Sequence, residues 1–269
     1  SGAVPDSILE QLEDQSIGKR LTFADIAEIK AILHRGILDQ TDRLVGIVIP
    51  EQDITDGILH VIVSTARLGE VRLEGNAHFP EDRYLSAMRN FPGEEIDRSV
   101  LAEDIAWLSR NPFRDVIAVC EPGHTHGSSD IVLHARDRRR WSAGLTYDRD
   151  GQITLGEDRL GILVEASDLL GPDSHLLYLS QNDLDFERFT SHYLGYQLPL
   201  PWRHELRLSG YYSDSRSDAV ELLPGISLAS EGENWLVGAE YAVLLPQLWG
   251  GDQELTLGLT AQSIGSQLE

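Results

Sequence analysis

Two imidazoles separated by one residue, His124 and His126, stand in the glycine-bounded stretch GHTHG at 123–127. Such a pair can hold Zn²⁺, which takes nitrogen, sulfur or carboxylate ligands in sets of three or four. No third ligand is evident in the neighbouring sequence and the stretch falls in a turn between strands, so solvated histidines and no metal are expected. Asp130, Asp148 and Glu165 could act as an acid and base pair. In a chain with 44 acidic and 22 basic residues, however, single carboxylates carry little information. The one cysteine, Cys120, cannot form an intrachain disulfide. Neither Gly-x-x-x-x-Gly-Lys-[Ser/Thr] nor a dinucleotide fingerprint occurs. No catalytic residue, cofactor or nucleotide is therefore expected, and a net charge of -22 repels nucleic acid.

The charged residues with positional meaning lie in the second half. From Arg138 onward apolar and polar residues alternate: Trp141, Ala143, Leu145 and Tyr147, then Leu160, Ile162, Val164 and Ala166. The rhythm returns in Leu206, Leu208 and Tyr212, in Val237 to Val243, and in Leu255, Leu257, Leu259 and Ala261. One face is apolar, the other wet, which suits a membrane barrel or a soluble sandwich. Short proline-bearing turns at 169–174, 198–205 and 244–253 against longer polar loops at 148–158 and 213–234 favour an outer-membrane barrel. Arg159, Glu165, Glu205, Arg207 and Glu240 then face inward and line a polar lumen. Arg136, Arg138, Arg139 and Arg140 precede Trp141, where they could meet anionic lipid or acids of the periplasmic turns. Counting by turn parity gives seven strands, with Val220–Leu228 as an extra hairpin-like segment. Seven cannot close, so a fragment of a larger barrel is expected.

The first half has a helical rhythm and an internal repeat. A shift of 75 positions lays Gly18–Leu21 on Gly93–Ile96, Leu33 on Leu108 and Arg35 on Arg110. Each copy holds an amphipathic helix, with Thr22 or Asp97 as N-cap and Gly36 or Asn111-Pro112 as its stop. Strand pairs follow: Leu44–Pro50 with Ile58–Ser64, and Val116–Glu121 with Asp130–Ala135. The second copy is preceded by an alternating strand, Gly69–Gly75, so the complete unit reads βααββ. The first copy lacks that strand and opens near a helix at Ser7–Leu12, with no initiator Met or signal peptide, so truncation is expected. The expected domains are 1–68, 69–137 and 138–269.

The run RLVGIVIPEQDITDGILHVIVSTARLGEVRLEGN at 43–76 resembles the junction between two POTRA domains of two-partner secretion transporters. These are the hemolysin secretion/activation proteins (ShlB/FhaC/HecB type) of Gram-negative outer membranes. The matching positions are Ile47–Pro50, Gln52, Asp53, Ile54, Asp56, Gly57 and Gly69–Asn76. The segments at 127–151 and 160–183 resemble the family's exit from the second POTRA domain and its first barrel strands. The resemblance implies an α+β pair of POTRA domains followed by an antiparallel transmembrane β-barrel, of which only the first half is present. The family's signal sequence, plug helix, second barrel half and inward loop with its Arg-Gly-aromatic motif are absent, so no transport residue carries over. It places Leu44, Val45, Gly46, Ile47, Val48 and Ile49 at an open sheet edge that would capture an unfolded strand. It also implies a secreted exoprotein with an N-terminal secretion domain and outer-membrane lipid as partners. A barrel-assembly or insertion factor, or a soluble periplasmic binding protein with a C-terminal β-sandwich, are the alternatives.

Overall fold

The computed structural model describes residues 4, 6–38, 41–52, 57–125, 127–149, 151–223, 226–248 and 251–268. The chain divides into two compact units, Ser1–Asp137 and Arg138–Glu269.

In the first unit, α1 (Asp6–Ser16) and α2 (Phe23–Leu38) precede β1 (Val45–Val48) and β2 (Ile62–Thr65). Ile8, Ile29, Leu33, Ile37, Val45 and Ile47 form the core they share. Thr22 and Asp25 make a reciprocal cap: Asp25 N donates to Thr22 Oγ1 at 3.3 Å, and Thr22 N donates to Asp25 Oδ2 at 2.6 Å. Gly36 does not stop α2, which runs on to Leu38. A Cβ at Gly36 would come within 2.2 Å of Ile8 Cδ1, so the glycine lets α1 lie close against α2. Both strands of the hairpin are shorter than their apolar patterns suggest, because residues 49–52 and 58–61 leave the ladder.

The second repeat is the complete form. It comprises β3 (Arg67–Glu74), α3 (Glu81–Leu85), α4 (Arg98–Ser109), β4 (Arg114–Pro122) and β5 (Ser128–Asp137). β5 lies in the middle, parallel to β3 and antiparallel to β4. Leu68, Phe79, Tyr84, Ile96, Leu108, Phe113, Val116, Ile131 and Leu133 fill the space beneath the helices. Fully burying such a side chain contributes about 1.5–3 kcal/mol. Asp97 caps α4 by accepting from Ser99 N and Val100 N at 3.0 and 3.1 Å. Asp104 is shielded from solvent and ties the segment after α3 to α4 through Arg89 N and Nε, both at 2.7 Å.

The second unit is a single seven-stranded antiparallel meander of β6 (Trp141–Asp148), β7 (Arg159–Ser167), β8 (His175–Asp183), β9 (Phe189–Pro199), β10 (His204–Leu223), β11 (Ile226–Leu248) and β12 (Gly251–Leu268). No second sheet covers either face among the described residues, which removes the sandwich alternative. Val220–Leu228 is not a separate segment. Val220 pairs with Leu228 and Leu223 with Ile226, so β10 and β11 run together to the tip of one long hairpin.

Candidate functional site

The expected site residues fall on two surfaces: the outer strand of the first repeat, and the polar face of the seven-stranded sheet. On the first, β1 pairs antiparallel with β2 in the register Val45↔Thr65, Gly46↔Ser64, Ile47↔Val63 and Val48↔Ile62. Val45 and Ile47 are buried on the helices, whereas Val48 and its partner Ile62 are about half exposed on the outer face. No strand pairs with the other side of β1 among the described residues. Leu44 differs from its neighbours. Its N–H donates to Ile96 O at 2.9 Å and its carbonyl accepts from Ala66 N at 2.8 Å, so its backbone is already engaged by the junction to the second repeat. Ile49 lies just past the end of β1. The open edge is thus Val45–Val48, shorter at both ends than the six residues expected.

Beyond Pro50 the side chain of Gln52 replaces the missing ladder. Its Nε2 donates to His60 O at 2.9 Å and to Pro50 O at 3.2 Å, while its Oε1 accepts from His60 N at 2.7 Å. An amide side chain thereby does what a backbone peptide of an opposing strand would do. Asp53, Ile54 and Asp56 lie outside the described residues. Replacing Gln52 with Ala is expected to weaken this hairpin by about 1–2 kcal/mol. Hydrogen exchange should then speed up in peptides covering 57–65 and stay unchanged in those covering 114–137.

On the second surface the registers settle which side chains share a face, because residues directly opposite in an antiparallel ladder point the same way. Arg159 lies opposite Asp148 and Asp183, and Glu165 opposite Ser142 and Leu177. His175 lies opposite Gln197, Gln197 opposite Arg207, and Arg207 opposite Glu240. All five expected residues therefore stand on one face, with Ser142, Thr146, Gln181, Asn234, Glu254 and Thr260. Arg207 is the centre of the charge cluster. It makes a two-pronged contact with Glu254 at 2.6 and 2.8 Å and bonds Glu205 through Nε at 2.8 Å. Glu165 accepts from Ser142 Oγ at 3.0 Å and lies 3.8 Å from His175. Arg159 is 6% exposed, with its guanidinium 4.0 Å over the Phe189 ring, so it packs into the wall instead of standing free. Glu254 was the residue missed: it falls in the same alternation, but only the β11–β12 register reveals it beside Arg207.

The opposite face is apolar and exposed, with Leu145, Ile162, Leu194, Leu208, Val237, Leu255, Leu257 and Leu259 outward. Aromatic residues gather at the short-turn end. Trp202 Nε1 donates to Tyr241 Oη at 3.0 Å, His204 Nδ1 lies 2.6 Å from the same oxygen, and Tyr196 Oη donates to Leu170 O at 3.0 Å. Trp141 stands at this end too, opposite Ala166. Along β11 Tyr241 and Trp235 stand six positions apart, about 20 Å of strand, which at a barrel strand's tilt of about 40° covers about 15 Å of the apolar band between aromatic girdles. Arg140 meets an acid of the first short turn, Asp168, at 3.2 Å.

The turn histidine His124 is exposed, and the fold brings Glu70 and Asp130 to it; ligand atoms of the three lie within 4.8 Å of one another. His126 lies outside the described residues.

Residues 127–261 match the family model described as haemolysin secretion/activation protein ShlB/FhaC/HecB. The outer membrane transporter CdiB-2 of Burkholderia pseudomallei is 25% identical over 179 residues, which cover 64% of this chain and 29% of that protein. The heme/hemopexin transporter protein HuxB of Haemophilus influenzae is 18% identical over 158 residues, covering 58% of this chain and 28% of the relative. The chain thus spans less than a third of the length of these curated relatives. Among solved structures, CdiB from Escherichia coli superposes over 100% of this chain and 50% of its own, with a TM-score of 0.68 and 18% identity.

Proposed function

Since the chain belongs to the haemolysin secretion/activation protein family of the outer membrane, we propose that it captures an unfolded exoprotein at β1 and passes it along the polar face of the sheet to the cell surface. The observation that carries this reading is the pairing of two features in one chain. One is a strand, Val45–Val48, with a neighbour on one side only. The other is a sheet with a charged, hydrogen-bonding face backed by an apolar one. An extended client segment adds to the strand through backbone bonds, which read no particular side chain and so suit a chain that has not folded. The polar face then offers it water and charge where lipid offers neither. The partner is a secreted exoprotein with an N-terminal secretion domain, and the apolar face and its aromatic girdle sit in outer-membrane lipid. No nucleotide fingerprint occurs in the sequence, so the drive comes from the client's folding outside. In domain terms the reading is a first POTRA domain at 1–68, a second at 69–137 and barrel wall from 138 to 269.

Ile47→Pro tests capture. Ala66 N donates to Leu44 O, so by the alternation of an antiparallel ladder Leu44 O and the backbone groups of Gly46 and Val48 turn to β2. The N–H groups of Val45 and Ile47 face the open edge, and proline at 47 removes one of these outward donors. Affinity for a denatured secretion domain, measured by fluorescence anisotropy, should fall about tenfold, equivalent to roughly 1.4 kcal/mol. Equal affinity, with hydrogen exchange showing the first repeat still folded, would remove β1 as the capture site.

A further inference from the structure

The second repeat contains a set of groups that secretion does not explain. The β3–β5 ladder slips between Leu68↔Ser129 and Val71↔Ile131, so that Gly69 and Glu70 together face the single residue Asp130. The bulge turns Glu70 toward the β4–β5 turn, from which His124 comes over. Asp130 sits beneath them, 2% exposed. Its Oδ1 accepts from Glu70 N at 3.1 Å, so the backbone of the bulge holds the buried carboxylate in place beneath Glu70 and His124. Two glycines keep the space around it clear: a Cβ at Gly69 would come within 2.2 Å of Asp130 Oδ1, and one at Gly123 within 3.0 Å.

We infer that Glu70, His124 and Asp130 form a binding site for a divalent transition-metal cation of the Zn²⁺ class. One imidazole and two carboxylates make a borderline donor set suited to Zn²⁺, and the two negative charges balance the ion. Their mutual spacing of up to 4.8 Å is wider than ligands around one Zn²⁺, so the exposed Glu70 and His124 close by side-chain rotation while buried Asp130 stays in place. The bound ion pins the β4–β5 turn to the bulge in β3, bracing the second repeat where its leading strand begins. The chain's net charge of -22 raises the local concentration of cations around the site.

The test is titration of the full chain, stripped with a chelator, with Zn²⁺ by calorimetry and with Co²⁺ by visible absorption. One equivalent is expected to bind, with slowed hydrogen exchange at 123–130. His124→Ala and Glu70→Gln, both at exposed positions, should each weaken binding at least about tenfold, since even loss of an outer-shell partner costs that much. His34→Ala, on α2, should change nothing. Asp130→Asn is informative only where exchange elsewhere in the repeat shows it folded, and it too should lose the ion. Absence of stoichiometric binding, or binding retained in both His124→Ala and Glu70→Gln, overturns the site. So does binding lost in His126→Ala and kept in His124→Ala. None of these outcomes bears on strand capture at β1.

Discussion

Replacing Asp137 with Asn is expected to destabilise the second repeat by about 3–5 kcal/mol, a large share of the 5–15 kcal/mol that holds a typical domain together. Asp137 closes β5, and its carboxylate is fully shielded from solvent. It accepts from Ala77 N at 2.9 Å, His78 N at 3.0 Å, Phe79 N at 3.1 Å and Tyr84 Oη at 3.0 Å. One residue thus gathers the whole turn that carries β3 into α3. Hydrogen bonds to a charged group contribute about 1.5–3 kcal/mol each, and Asn would point an amide N–H₂ at donors that need an acceptor. Burial pushes the Asp137 carboxyl up, but the N–H groups of Ala77 and Phe79, with His78 and Tyr84, outweigh it and hold the pKa below its ordinary value of 3.8. A depressed carboxylate pKa means that this stability is fully present above the unfolded value and is lost as pH falls through the folded one. The second repeat should therefore loosen in acid below about pH 4, and the Asn variant should have lost that acid transition already. Hydrogen exchange over 67–137 reads both effects. Asp115→Asn, at an exposed position on β4, should leave them unchanged.

Placing a charge on the apolar face should be nearly as damaging, and in a way that distinguishes the two faces. Leu208 and Ser209 are neighbours on β10 and point to opposite sides: Leu208 lies opposite Ala239 and Tyr196, Ser209 opposite Gly238 and Gly195. Leu208→Arg puts a guanidinium midway up the lipid-facing band, at a cost of about 2–4 kcal/mol. Ser209→Arg puts the same charge among Arg207, Glu240 and water. With each substitution placed in a closed barrel that contains this segment, insertion into phospholipid vesicles, followed by protease protection and heat-dependent mobility, should fall sharply for the first and hold for the second. Equal loss from both would show that the faces are not divided as the registers indicate.

Much of this was legible because period and face are local properties. The dyad alternation of Leu206, Leu208 and Tyr212 or of Leu255, Leu257 and Leu259 needs no partner to be read, and it assigned Arg159, Glu165, Glu205, Arg207 and Glu240 to one face. What could not be read is register. The Arg207–Glu254 contact joins residues far apart in sequence, and only the pairing of β10, β11 and β12 sets them side by side. The same holds for Glu70 and Asp130: GHTHG shows two histidines, while the two carboxylates reach His124 through a parallel ladder and a bulge. Gly36 misled for a different reason. A glycine at the end of an apolar helix pattern reads as a stop, yet here a close helix neighbour, Ile8, is what requires it.

The junction between the repeats gives the first unit a mechanical character. β2 ends at Thr65 and β3 begins at Arg67, so Ala66 alone separates the two strands where the chain passes from one sheet to the next. Leu44 and Ala66 are both bonded to Ile96, and Thr65 Oγ1 to Glu95, so this crossing is braced from the second repeat. Twisting one repeat against the other would have to break these bonds together, which makes the crossing a clamp and not a hinge.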